Sequence, residues 1–100
     1  MPSETIRDAI DRATDAYDAL GALGEEIEDE WSYVTDLAAA WETRLDGVAA
    51  ARGAEAIDEA TLGAIEAVIE EVGLIVDPHR AIDWLSTFPQ VVLLALGEQP

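Results

Sequence analysis

The chain has 100 residues, half of them apolar, and carries 22 acidic against five basic residues for a formal charge of −17. That length makes one domain with a real core, while the charge disfavours direct contact with nucleic acid or anionic lipid. Cysteine is absent, which excludes disulfides, thiolate chemistry and zinc-finger sites.

The basic residues are all arginine: Arg7, Arg12, Arg44, Arg52 and Arg80. Charge of one sign repels itself in a compact state, and salt relieves it, because the screening length falls to about 3 Å at 1 M. A solvated acidic surface adapted to a saline cytoplasm is the favoured reading. A dedicated electronegative face is the alternative. The first residues, Met1 to Thr5, show no basic region followed by an apolar one, so the expected location is the cytoplasm. The longest apolar run, Val91 to Leu96, is far short of the roughly 20 residues that span a bilayer.

The first helix is expected over about residues 3–20, with Ser3 as N-cap and Glu4 in the first turn. Its buried stripe is Ile6, Ile10, Ala13, Tyr17 and Leu20. An apolar heptad continues through Ile27, Val34, Trp41 and Val48, with Asp8, Asp15, Asp29 and Asp36 on the opposite face. This is the pattern of amphipathic helices that bury one stripe. Gly21 and Gly24, followed by a burst of acids from Glu25, read as a helix end and a new start. The unbroken heptad phase supports the alternative, one helix from Ser3 to Ala51 about 73 Å long. Typical helix lengths favour the break.

A second helix is expected over about 25–51, burying Ile27, Trp31, Val34, Leu37, Trp41, Leu45 and Val48, with Gly53 at C′. A third spans about 58–72 with Asp58 as N-cap. Its Gly63 costs about 1 kcal/mol against Ala and is a candidate for close helix approach. Leu74-Ile75-Val76 is the one β-like run and reads as a buried connector. Asp77-Pro78 starts a fourth helix over about 78–88. Pro89 predicts a break after Phe88, then a short fifth helix over about 90–96 ending at Gly97.

The chemistry-bearing residues are sparse. The single histidine, His79, has Val76 where a Glu-x-x-His metal pair requires Glu. The acids from Glu25 to Glu30 lack the alternating ligands and the glycine of an EF-hand loop. Some all-α pyrophosphohydrolases hold Mg²⁺ with a Glu-Glu-x-x-Glu pattern. Glu70-Glu71 begins one, but Leu74 fills the third acidic position; Glu25-Glu26 begins another, with Asp29 there. None of Ser3, Ser32 and Ser86 lies in a nucleophile elbow. No catalytic, cofactor-binding or metal residue is therefore assigned, and no cofactor.

Among the aromatics, Trp31 and Trp41 read as core and Tyr33 as off the stripe. Trp84, Leu85, Phe88, Val92, Leu93 and Leu96 lie in a segment apolar nearly all round, which must be central in the fold or shared between chains. They form the candidate interface of a homodimer. The sequence thus predicts an all-α protein, a small four- or five-helix bundle with an acidic exterior. The expected function is a non-catalytic interaction or assembly module with a possible protein partner. The alternatives are an acidic decoy of nucleic acid that occupies a basic protein surface, and a carboxylate–Mg²⁺ nucleotide pyrophosphohydrolase.

Overall fold

The computed structural model describes residues 4–98, apart from the side chains of residues 28–33 and 35. Four helices account for nearly all of it: α1 (Ile6–Gly24), α2 (Glu28–Arg52), α3 (Glu59–Gly73) and α4 (Pro78–Ala95). No strand occurs among the described residues, and Thr5 and Ala56 form an isolated antiparallel bridge. The fold is all-α.

Capping fixes where each helix starts. Thr5 caps α1, and its capping box with Asp8 is complete. The sequence placed the cap at Ser3, which lies outside the described residues. All four N–H groups that a helix start leaves without an intrahelical acceptor are accounted for. Thr5 N donates to Asp8 Oδ2 (3.1 Å) and Asp8 N to Thr5 Oγ1 (3.3 Å). Ile6 N donates to the Glu55 carbonyl (2.9 Å) and Arg7 N to the Gly53 carbonyl (3.1 Å), and Ile57 N donates back to the Glu4 carbonyl (3.0 Å). The start of α1 is thereby strapped to the α2–α3 connection.

Gly53 is needed in this strap for close approach. It sits at the α2 C-cap with φ −60°, not at a left-handed C′ as the sequence suggested. A Cβ there would lie 2.2 Å from the Ala49 carbonyl oxygen and 3.2 Å from Arg7 Nε. Gly63 has no such role, because a Cβ there would meet nothing within 4 Å.

The break between the first two helices is real but sits later than expected. Helix α1 runs on through Gly21 to Gly24, and α2 begins at Glu28, leaving residues 25–27 as the turn. Gly21 and Gly24 are helical and buried, so they belong to a packed face. Ile27 keeps the heptad phase from within the turn. Trp31, expected in the core, and Tyr33, expected off the stripe, lie outside the described side chains.

The ends of the helices give the topology. Arg7 Nη2 donates to the Ala49 carbonyl (3.1 Å), so α1 and α2 are antiparallel. Arg12 of α1 pairs with Glu66 of α3 (2.7 Å), and α3 runs parallel to α1. Arg52 near the end of α2 donates to the Leu96 carbonyl at the end of α4 (2.9 Å). The bundle is therefore up-down-up-down. Helices α1 and α4 each touch all the others, while α2 and α3 do not touch among the described residues. The cross-section is a rhombus with α1 and α4 on the short diagonal. That position suits α4, whose Leu85, Val92 and Leu93 are fully buried.

The expected break at Pro89 does not occur: α4 is one helix through it. Proline removes the N–H that would bond the Leu85 carbonyl. The Tyr17 hydroxyl of α1 donates to that carbonyl instead (3.2 Å), and the Tyr17 ring stacks on Phe88 with centroids 6.3 Å apart. Beyond Ala95, Glu98 N bonds the Leu93 carbonyl (2.9 Å) and Gly97 N the Leu94 carbonyl (3.0 Å), with Gly97 at φ +79°. This is a Schellman close in which glycine takes the left-handed position.

Burial pushes the Tyr17 phenol up to about 12, with the nearby charges of Glu42 and Asp18 adding to the shift. The folded state thus favours the neutral phenol. Its stabilisation is complete below the ordinary tyrosine value near 10 and is lost as pH rises through about 12. Tyr17→Phe should cost about 1–3 kcal/mol in denaturant melts by stranding the Leu85 carbonyl. It should also remove part of the alkaline loss of stability. In a Pro89→Ala background an N–H returns to that carbonyl, and the cost of Tyr17→Phe should shrink by about 1 kcal/mol. Equal costs in both backgrounds would show that the hydroxyl does not substitute for the missing N–H.

Candidate interaction surface

The described acidic side chains do not build an inward-facing site, and Glu28, Asp29 and Glu30 of the weighed acidic run lie outside the described side chains. Every described acid is exposed except Glu4 and Glu98, and these two are held by arginines. Arg12 pairs with Glu4 and Glu66, and those carboxylates, Glu4 first, raise the guanidinium above its ordinary value. Arg52 Nη1 pairs with Glu98 Oε2 (2.6 Å), and Arg44 approaches Glu98 Oε1 at 3.9 Å. Three exposed acids, Asp8, Asp58 and Asp77, serve in caps. The Thr5 N–H and hydroxyl hold Asp8 below the usual carboxylate range, and the Thr61 N–H does the same for Asp58.

The residues weighed for metal chemistry stand apart. His79 lies in the first turn of α4, where its backbone N–H donates to Asp77 Oδ1 (3.1 Å). Glu25, Glu26, Glu70 and Glu71 point to solvent. Among the described residues no three acidic or histidine side chains converge on a point where a metal could be held.

The candidate interface residues are placed together, but inside the chain. Leu85, Phe88, Val92, Leu93 and Leu96 are buried in the core, and Trp84 is half-buried against it. Helix α4 packs against all three other helices, and its open face carries Asp83, Thr87 and Leu94. No helix among the described residues is long and apolar enough to cross a membrane.

The fold instead leaves a different apolar surface outside. Leu74 is 79% exposed and Val76 85% exposed, which corrects the reading of residues 74–76 as a buried connector. Leu74 is the αR C-cap of α3, and residues 75–77 carry no regular structure before α4. Ile75 packs against the core, while Leu74 and Val76 on either side of it face outward. Ile75 also lines a groove of about 200 Å³ between α1 and α3, with Ala19, Leu20, Leu23, Ile69 and Gly73. The α1–α2 turn, with Ile27 packed against the core, closes the same end of the bundle. Sequence reasoning missed this surface because three consecutive aliphatic residues look like core; the signal available was Gly73 before them and Asp77-Pro78 after, which leave no length for burial.

Compared with known protein families, with curated proteins and with solved structures, the chain finds no match. What the fold defines is therefore a class: an all-α four-helix bundle, with Leu74 and Val76 between α3 and α4 and Leu94 near the end of α4 exposed among its described residues.

Leu93→Asp places a charge at a fully buried position on the central helix. It removes the apolar burial and leaves the carboxylate without a partner, a combined cost of about 5 kcal/mol. That is the size of a small domain's whole stability. Circular dichroism should show loss of cooperative helical structure. A folded variant that merely sediments more slowly than the wild type would place Leu93 between chains.

Proposed function

We propose that this chain is a non-catalytic helical interaction module with an acidic exterior suited to high salt, and that the apolar end around Leu74 and Val76 is its contact surface. The observation that carries the reading is the exposure of two large aliphatic side chains, Leu74 and Val76, in the short connection between α3 and α4. A contiguous apolar patch with a polar rim is the usual mark of a contact site. Most of the segment Trp84–Leu96 is occupied by packing within the chain, with Leu94 left exposed, so contact through its buried residues would require α4 to leave the bundle. The end formed by Leu74 to Val76 requires no such change.

The acidic exterior is supported by the exposure of nearly all the described carboxylates and by rows such as Asp8, Asp11, Asp15 and Asp18 along α1. Like charges one turn apart each cost a few tenths of a kcal/mol. The melting temperature should therefore rise from low to molar KCl. An unchanged or falling value would mean that self-repulsion does not limit stability.

The contact surface is tested by affinity capture from the extract of the cells that make the protein, comparing wild type with Leu74→Asp/Val76→Asp. Both substitutions fall at exposed positions, so helicity and melting should stay within about 0.5 kcal/mol of wild type. The expected result is a partner retained by the wild type and lost by the variant. Identical captured sets would remove the apolar end as the contact surface.

A further inference from the structure

We infer that the uncovered end of the bundle, with the α1–α3 groove beneath Ile75, receives a short helical segment of a partner protein whose large aliphatic side chains are flanked by arginine or lysine. The inference rests on the proposed contact surface and adds the chemistry of what covers it.

Two features define the occupant. The groove walls are aliphatic, from Leu20, Leu23, Ile69 and Ile75, and small residues, Ala19 and Gly73, open its upper edge. An added Cβ at Gly73 would meet nothing within 4 Å, so the space there is free for a foreign side chain. Grooves of this kind take the apolar face of an amphipathic helix, whose anchors recur at i, i+3, i+4 and i+7. The second feature is the rim. At this end Glu25, Glu26, Glu70, Glu71 and Asp77 are exposed, against Arg80 with His79 beside it. Complementarity calls for positive charge around the anchors.

The same rim argues against other occupants. Anionic lipid and nucleic acid would be repelled by it. A second copy of the chain, end to end, would set Glu70, Glu71 and Asp77 against themselves. A basic partner instead gains attraction from the rim while its aliphatic residues fill the groove.

The test uses the full chain and a fluorescent synthetic peptide of about 15 residues, long enough for nascent helix. It carries Leu at the anchor positions and Arg beside them. A control peptide of equal charge has Ser in place of each Leu. Anisotropy titrations at about 0.15 M KCl, where charges are partly screened, should show the wild type binding the Leu peptide about tenfold or more tightly than the Ser peptide. Leu74→Asp/Val76→Asp makes the protein more negative yet should bind the Leu peptide about tenfold more weakly. Gly73→Leu fills the groove without changing charge and should weaken binding in the same direction. Charge attraction alone predicts the opposite sign for the Asp variant and no preference between peptides; either result overturns the inference. If the wild type ignores the Leu peptide while capture from extract, or self-association in sedimentation, still depends on Leu74 and Val76, the basic segment is the wrong occupant and the contact surface stands.

Discussion

The Leu85 carbonyl lies in the middle of the central helix and lacks the N–H four residues on that a helical carbonyl accepts from, because residue 89 is proline. A buried carbonyl without a donor destabilises by about 1–3 kcal/mol, and proline in a helix interior costs about 3 kcal/mol or more by itself. One hydroxyl from the neighbouring helix, Tyr17, answers the first of these costs (3.2 Å). The buried proline ring and the Tyr17–Phe88 stack add contact that offsets the second. With α4 unbroken, its apolar surface runs the whole length of the bundle. α1 lies along it, and α2 and α3 take the two flanks. The rhombic packing follows from α4's need for cover on more sides than a peripheral helix has.

Charge has to be reconciled with that packing. Four of the five arginines are tied into helix ends or carboxylates. Arg7 and Arg52 donate to the Ala49 and Leu96 carbonyls, at the negative ends of α2 and α4. Arg12 bridges α1 to α3 through Glu66, and Arg44 stands near Glu98. The exposed pairs are individually worth little. Their placement matters more than their strength. Arg7, Arg44 and Arg52 gather where α1 begins and where α2 and α4 end, so the opposite end is left with acids around an apolar tip. Among the described residues three of the five arginines thus stand at one end, and at the other Arg80 and His79 face a larger number of acids.

Much of the fold was legible in the sequence for identifiable reasons. Periodicity gave the helices, since α1 buries Ile6, Ile10, Ala13, Tyr17 and Leu20 as the stripe requires. Asp58 and Asp77-Pro78 start α3 and α4, because cap chemistry is local. What failed was non-local. Pro89 reads as a break to any local rule, and the Tyr17 hydroxyl that rescues it comes from 72 residues earlier in the chain. Gly53 reads as a left-handed cap, whereas its requirement comes from the Ala49 carbonyl and Arg7. The segment from Trp84 to Leu96 was legible as central or shared; only the packing of three helices around α4 separates the two.

Residues 74–76 carry the same lesson in the other direction. An aliphatic triplet near the bottom of a small bundle would ordinarily be drawn inward, because burying each such side chain is worth about 1.5–3 kcal/mol. Here geometry forbids it. Gly73 ends α3 and Pro78 opens α4, so only residues 74–77 cross from one helix to the next, and of the three aliphatics Ile75 alone packs against the core. A polar residue at 74 or 76 would serve the connection equally well, because neither side chain supports the core. Leu74 and Val76 therefore add nothing to the folded state that a serine or threonine would not. On the proposed contact surface their apolar character would serve contact rather than folding.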